Sequence, residues 1–345
     1  MRGIRKQAAF FAITLLVALG ALPAAGDAGG HPNAAASAEH DRIVAFWTNA
    51  RVAQAVPRDF EADPANGRFS LSPRAKGGSP SANRKPGAGS TVVGASWTAG
   101  GEVLRTTGKV LFAMDGSYWV CSATVAEDAV ATRSIILTAG HCAYDETNHA
   151  FATNWMFVPD YDSAPAPLDT AGNFCASTSL GCWTASSLVV AKGFATAGGF
   201  NTQATLHDYA FAVVGAGGKT GSQLDTATGG GHPIQFSTVA NNTDTYLFGY
   251  PAAGKYHGTD LVYSRGPLGT DPYNSNLTYR VVSDMTGGSS GGGWYAPFSG
   301  GSGTLMSVNS YGYSGVTAMH GPKLNAETQS MFNTAGSATA NTIVG

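Results

Sequence analysis

Short apolar segments separated by turn residues dominate the chain from about residue 107 onward. Ten of them have the length of β-strands: Lys109–Met114, Ser117–Val125, Ser134–Thr138, Trp155–Val158, Leu188–Ala191, Tyr209–Val214, Tyr246–Tyr250, Leu261–Ser264, Thr278–Ser283 and Thr304–Tyr311. The first two flank Asp115-Gly116, a dipeptide that suits a tight hairpin because glycine accepts a positive φ. Strands of this length and spacing predict an all-β sandwich or barrel.

A Gly/Thr-rich stretch, residues 215–231, holds few apolar side chains and predicts a connection between two β units. We expect one unit over residues 101–220 and the other over residues 221–345. A short helix is predicted near the C-terminus, where apolar and small side chains recur at helical spacing: Leu324, Thr328, Met331 and Phe332.

The first 26 residues have the pattern of a secretory signal peptide. Three basic residues precede an apolar run from Ala8 to Leu22, and small residues at 24–26 offer a cleavage site. The run is about 15 residues long, shorter than the about 20 that span a bilayer. We therefore expect a secreted, extracellular protein that does not associate with the membrane once the signal is removed.

Residues 27–100 are predicted to be a propeptide and linker. From Pro57 to Gly89 the chain is rich in Pro, Gly, Ser and Arg, a composition expected to bury too little apolar surface to offset the entropy of ordering. Arg84-Lys85 is a plausible processing point. One short amphipathic helix is predicted from four apolar residues: Ile43, Val44, Phe46 and Trp47.

Composition and charge exclude several classes of protein. The apolar fraction of 43% excludes a disordered chain, and the 46 glycines lack the three-residue period of collagen. Residues 1–106 carry 12 Lys or Arg against 7 Asp or Glu, whereas residues 107–345 carry 8 against 15. Because the net charge is only −2, no global field attracts nucleic acid or an anionic membrane.

Four cysteines in an exported chain favour two disulfides, for which three connectivities exist. Their order suggests Cys121–Cys142 and Cys175–Cys182. In the chain-entropy model, closing a loop of about 20 residues contributes roughly 3 kcal/mol. No CxxC or paired-His spacing supports zinc, and no motif calls for another metal or an organic cofactor.

Three segments carry candidate chemistry. His141 lies in Leu-Thr-Ala-Gly-His-Cys, Asp208 opens an apolar strand, and Ser290 lies in Gly-Gly-Ser-Ser-Gly-Gly-Gly. Each has an ordinary explanation when taken alone: a packed histidine, a capping aspartate, a flexible loop. Together they supply a hydroxyl nucleophile, a base that can take its proton and an acid that can orient the base.

These motifs resemble those of the chymotrypsin-like serine peptidases, in particular the secreted bacterial branch that includes glutamyl endopeptidases. The resemblance covers roughly residues 104–335, and Cys121 matches the cysteine that pairs with the one after the base. It implies two antiparallel six-stranded β-barrels with a short C-terminal helix. It also implies a secreted, monomeric serine endopeptidase that acts on proteins or peptides in the cleft between the barrels.

The same resemblance implies the residue roles. Ser290 would attack the scissile carbonyl, His141 would take and return its proton, and Asp208 would orient the histidine. The backbone N–H groups of Gly288 and Ser290 would form the oxyanion hole. Three consecutive residues resemble the edge segment that pairs with the substrate backbone, the last of them leaving the specificity pocket open: Ser310, Tyr311 and Gly312.

Substrate preference stays open at this point. Asp284 lies six residues before Ser290, where trypsin-like enzymes place the carboxylate that binds Arg or Lys. It is equally well explained as a strand-end aspartate satisfied by local backbone donors. Asn309 stands where members that prefer Glu tend to have a histidine, which weakens a Glu prediction. Ser289 replaces the usual Asp, so an ion pair to a new N-terminus cannot form there.

Two alternatives remain. Gly-x-Ser-x-Gly at residues 288–292 also fits the nucleophile elbow of a serine esterase, but that fold needs Asp and His after the serine. Only His320 and Glu327 follow Ser290, and the helix-rich pattern is missing. The other alternative is a non-catalytic binding protein that keeps the barrel fold.

Overall fold

The computed structural model describes residues 32–72, 91–163 and 173–345. The predicted signal peptide and Arg84-Lys85 lie outside these residues. No helix within the described ranges is long and apolar enough to cross a membrane.

The described chain is mostly β. Its strands are β1 Val56–Pro57, β2 Phe60–Ala62, β3 Phe69–Leu71, β4 Val92–Ser96, β5 Thr107–Met114, β6 Ser117–Ala126, β7 Ser134–Thr138, β8 Tyr144–Asp145, β9 Ala150–Phe151, β10 Thr153–Pro159, β11 Trp183–Ala191, β12 Ala210–Val214, β13 Asp244–Gly249, β14 Val262–Pro267, β15 Gly269–Thr270, β16 Tyr279–Val281, β17 Gly293–Ser299, β18 Ser302–Val308, β19 Tyr311–Tyr313, β20 Val316–Gly321 and β21 Thr342–Val344. The helices are α1 Pro32–Phe46, α2 Asn49–Gln54, α3 Glu102–Thr106, α4 Phe174–Ser177, α5 Lys192–Ala195, α6 Thr202–Leu206, α7 Leu224–Thr228 and α8 Ala326–Ala335.

A closed six-stranded barrel forms the first half of the fold, in the order β6-β5-β10-β11-β12-β7 and back to β6. The β5–β6 hairpin turns at Asp115-Gly116, and both residues have positive φ, 48° and 66°, as a type I′ turn requires. Every residue of β7 and of β12 is buried. These strands therefore read as continuous apolar runs rather than as alternating ones.

The second half consists of two sheets, in the orders β18-β17-β13-β14-β4 and β15-β16-β20-β19-β2-β3. The predicted all-β fold with a C-terminal helix is confirmed. Both ends of the described chain cross the expected division into units. Strand β4, from before residue 101, pairs with β14, whereas β21 pairs in parallel with β11 of the barrel and α8 packs against β11 and β12.

The N-terminal part is more ordered than its composition predicts. Helix α1 contains most of the expected apolar residues, and it packs against β10 and β11, with Ile43 and the adjoining Trp47 buried. The expectation that the chain after Pro57 cannot form ordered structure is wrong for residues 57–72, which form β2 and β3. The physical reason is that β2 pairs with the backbone of β19 and β3 pairs with β2. These short strands therefore do not need a hydrophobic core of their own.

Candidate active site

The barrel brings His141 and Asp208 together. His141 lies in a short 3₁₀ turn, Gly140–Cys142, just after β7, and Asp208 lies two residues before β12. Because β7 and β12 are antiparallel neighbours in which Thr138 pairs with Ala210, the end of one strand lies beside the start of the other.

Asp208 binds the histidine twice. Its Oδ2 lies 2.8 Å from His141 Nδ1, and its Oδ1 accepts the His141 backbone N–H at 2.8 Å. The Ser310 hydroxyl also donates to Oδ2, so this residue, expected at the substrate edge, uses its side chain to hold the acid. All three side chains are buried. The arrangement makes Nδ1 the donor and leaves Nε2 with its lone pair, as a general base requires.

Ser290 lies in the loop before β17. Its carbonyl accepts the Ser122 backbone N–H at 2.7 Å and lies 3.8 Å from Cys142 Sγ, which places the serine beside the histidine turn. Its hydroxyl, however, donates to Asp59 Oδ1 at 3.3 Å. His141 Nε2 has no hydrogen-bond partner among the described residues. The Ser290 hydroxyl is therefore held by Asp59, while His141 Nε2 accepts no hydrogen bond within the described ranges.

Gly288 shapes the loop before Ser290. Its φ is 97°, and an added Cβ would lie 2.9 Å from both Ala252 Cβ and Tyr250 O, so the backbone and the packing both require glycine. The Gly288 carbonyl is held by the Ser122 hydroxyl at 2.8 Å. Within the described ranges, neither the Gly288 nor the Ser290 N–H donates to another group. Two such donors can stabilise an oxyanion.

Strand β19 is the expected substrate edge, and a buried carboxylate anchors it. The hydroxyls of Tyr311 and Tyr313 donate to Asp271 Oδ2 at 2.7 and 2.8 Å. An added Cβ on Gly312 would meet only a backbone oxygen 3.9 Å away. The space beside Gly312 is thus open, as expected for a residue that borders a pocket.

Asp284 does not present a free charge. Its carboxylate accepts hydrogen bonds from Lys255 Nζ at 2.6 Å and from the Tyr256 hydroxyl. The partners are side chains rather than the local backbone donors considered above. The ion pair neutralises the carboxylate that a trypsin-like pocket would offer to Arg or Lys.

Asn309 and Ser289 hold the nucleophile loop in place. The Asn309 amide donates to Phe248 O at 2.8 Å and to Ser289 O at 3.0 Å, and its Oδ1 accepts from Trp294 Nε1 at 2.7 Å. The Ser289 hydroxyl donates to Thr286 O at 2.8 Å. Each side chain is therefore occupied by hydrogen bonds within the protein itself.

Residues that the sequence interpretation missed come from the N-terminal segment. Arg58 donates to His141 O at 2.8 Å and to Glu146 Oε2 at 3.2 Å. The Phe60 ring stacks on Phe200 with centroids 3.9 Å apart and meets the His141 ring edge-on at 5.5 Å. This segment lies directly on the histidine.

The two expected disulfides are present, Cys121–Cys142 and Cys175–Cys182. The first joins β6 to the turn that carries His141. His141 and the sulfur atoms of Cys121 and Cys142 lie close enough together to suggest a metal site. Because both sulfurs are in the disulfide, this trio offers no thiolate ligand.

The comparisons with known proteins agree with this architecture. No family model and no curated protein matches the chain. Among solved structures, the thermostable serine protease AL20 from an extremophilic microorganism is 32% identical with a TM-score of 0.58, over 69% of this chain and 99% of that one. Protease Anisep from Arthrobacter nicotinovorans is 35% identical with a TM-score of 0.56, over 68% and 96%. A Glu endopeptidase, 19% identical with a TM-score of 0.51 over 71% and 97%, shares the fold.

The closed six-stranded barrel and the mostly β second half differ from the helix-rich fold of the esterase alternative and match the fold of these proteases. The chain belongs to the chymotrypsin-like serine proteases.

Proposed function

We propose that the protein is an exported serine endopeptidase with Ser290 as nucleophile, His141 as base and Asp208 as orienting acid. The observation that carries the proposal is the buried Asp208–His141 pair, whose geometry leaves Nε2 as the acceptor beside the Ser290 loop. Asp208 would stabilise the imidazolium that forms when His141 takes the hydroxyl proton.

The reaction would proceed in two acyl-transfer steps. Ser290 Oγ adds to the scissile carbonyl while its proton moves to His141 Nε2, and the N–H groups of Gly288 and Ser290 receive the developing oxyanion. His141 then protonates the leaving amine. Water, deprotonated by the same imidazole, hydrolyses the acyl-enzyme and restores the free hydroxyl. Every proton is returned to solvent or product, so no cofactor is needed.

Three further observations support an extracellular location and protein or peptide substrates, and we propose that the protein acts as a monomer. Two disulfides are typical of an oxidising compartment. The solved relatives at 32% and 35% identity are named as proteases. The predicted signal peptide supports the same location.

The test is labelling with a fluorophosphonate probe together with cleavage of a peptide library, using secreted protein that has been nicked between residues 73 and 90 and separated from its N-terminal segment. We expect labelling and cleavage that disappear in Ser290→Ala and persist in Ser289→Ala, the matched control one position away. Labelling that survives Ser290→Ala would contradict the nucleophile assignment. A folded protein that neither reacts nor cleaves would favour the non-catalytic binding alternative.

A further inference from the structure

The N-terminal segment crosses the cleft from one half of the fold to the other. Strand β1 pairs in parallel with β6 of the barrel, and β2 pairs in parallel with β19, the expected substrate edge. Only Arg58 and Asp59 lie between these two strands, so they span the cleft at the nucleophile.

Asp59 faces Ser290 with a side chain rather than with a peptide bond. Its Oδ1 accepts the Ser290 hydroxyl, while its backbone carbonyl accepts the Ser72 N–H at 2.9 Å. A carboxylate is a very poor acyl donor, since attack on it would require oxide to leave. The Asp59 group that binds the nucleophile is thus one that the nucleophile cannot cleave.

Contacts on both sides hold the segment in this position. Arg58 forms a buried ion pair with Glu146 and binds the carbonyl of His141. Phe60 covers the His141 ring and stacks on Phe200. With the segment in place the His141 side chain is fully buried and Ser290 is only 2% exposed. A substrate cannot reach either residue until the segment leaves.

The segment contains a β-hairpin that positions Asp59 and Phe60. Strands β2 and β3 form a hairpin, and Gly67, with a φ of 66°, lies in its turn. Phe69 on β3 packs edge-on against Phe200 and Tyr311, with centroids 5.3 and 5.4 Å away. The hairpin thus fills the aromatic surface beside the substrate edge and fixes the direction in which Asp59 enters the cleft.

We propose that residues 56–71 are a built-in inhibitor that closes the active site, with Asp59 occupying the nucleophile. The inhibitor acts by filling the cleft, and its removal exposes Ser290 and β19 to substrate. This inference rests on the proposed function, because it assigns the regulation of that same site.

The first test compares rates of fluorophosphonate labelling in intact secreted chains. We expect Phe60→Ala to react at least tenfold faster than the wild type, because it removes the ring that covers His141 and stacks on Phe200. Glu61→Gln is the matched control, since it changes the next residue of the same strand and leaves the Phe60 contacts in place. Equal rates in the wild type and Phe60→Ala would overturn the proposal.

A second test needs no reaction at Ser290. A fluorescent peptide of residues 55–72 is exchanged into Ser290→Ala protein that has been nicked between residues 73 and 90, and binding is followed by anisotropy. We expect the wild-type peptide, whose Phe60 ring contacts with His141 and Phe200 are intact in Ser290→Ala protein, to bind at least tenfold more tightly than a peptide carrying Phe60→Ala. Equal affinities, or no binding of the wild-type peptide, would overturn the proposal. If no form reacts with the probe, the catalytic proposal fails and this binding experiment alone decides whether the segment docks.

Discussion

The two halves of the fold solve the problem of open strand edges in different ways. The first half closes its six strands into a ring and contains both disulfides of the described chain. The second half leaves two sheets whose edges are paired with strands from the N-terminal part, β4 on one sheet and the β2–β3 hairpin on the other. Closure removes an edge permanently, whereas pairing with a separable strand does so reversibly.

This difference separates the parts of the site. The barrel carries His141 and Asp208, whose paired side chains are hydrogen-bonded to each other and to Ser310, while the N-terminal segment reaches this pair through Arg58 and Phe60. The second half carries Ser290 and β19, and both contact the N-terminal segment. In the proposed site the Asp208–His141 pair is therefore already formed, and the N-terminal segment blocks access to it as well as to the Ser290 loop and β19.

The largest expected effect comes from breaking the pair in the first half. Asp208→Asn should lower kcat about 10⁴-fold. The asparagine side chain has nearly the same volume as aspartate, but its amide stabilises the wrong tautomer of His141. Asp271→Asn in the second half is the matched comparison and should mainly raise KM, because Asp271 anchors β19. Steady-state kinetics on nicked protein measure both values. A small kcat effect of Asp208→Asn would contradict the assigned role.

The next effect concerns stability. Replacing Cys121 and Cys142 by alanine should lower the free energy of unfolding by about 3 kcal/mol, and replacing Cys175 and Cys182 by about 2 kcal/mol, because the first pair closes the longer loop. Urea unfolding of each double variant measures the loss. If the Cys175–Cys182 variant proved the less stable, loop length would not be the deciding factor.

The docked segment should depend on pH. Burial raises the pKa of Asp59 to about 6 despite the opposing effects of His141 and of hydrogen bonds from Ser290 and Ser72, and Glu61 raises it slightly. The docked state therefore binds a proton more tightly than the free segment, so affinity is highest at low pH. It should fall by up to about tenfold per pH unit between pH 4 and 6. Peptide exchange at several pH values measures this slope.

The control for that experiment is the peptide carrying Asp59→Asn, which cannot titrate at this position. Its affinity should be nearly constant between pH 4 and 6, and at pH 7 it should exceed that of the wild-type peptide. Parallel pH profiles for the two peptides would assign the dependence to a group other than Asp59.

The smallest expected effect lies in the second half. Lys255→Met removes the partner that neutralises Asp284, and both side chains are partly exposed. We expect a gain of up to about fivefold in kcat/KM for substrates cleaved after Arg or Lys, since a surface ion pair contributes about 1 kcal/mol or less. Peptide-library profiling of both proteins measures it. An unchanged profile would mean that Asp284 does not face the bound side chain.

Much of the fold after residue 107 could be predicted from the sequence because its strands are buried apolar runs. Strand β7 has the predicted bounds Ser134–Thr138, and the Asp115-Gly116 hairpin turns where the dipeptide indicates. The proximity of His141 and Asp208 also follows once β7 and β12 are neighbours. Each of these features has a local signal that tertiary contacts reinforce.

The N-terminal hairpin was missed for a physical reason. Its local signals are present: Asn66-Gly67 is a strong turn dipeptide, and Phe60 and Phe69 lie on either side of it. Composition averaged over residues 57–89 obscured this short pattern. The partner of β2 is also remote in the sequence, because β19 begins only at Tyr311. An edge strand whose backbone partner lies so far away has no periodicity that reveals the pairing.

Strands β4 and β21 link the two halves, because each pairs with the half that is remote from it in the sequence. The chain contributes β4 to the second half before it builds the barrel, and it returns with β21 to the barrel after the second half is built. Neither half can assemble completely from its own contiguous stretch of polypeptide. Val189 can pair with Thr342 only after the intervening second half has been made, which favours late, all-or-none maturation over stepwise assembly.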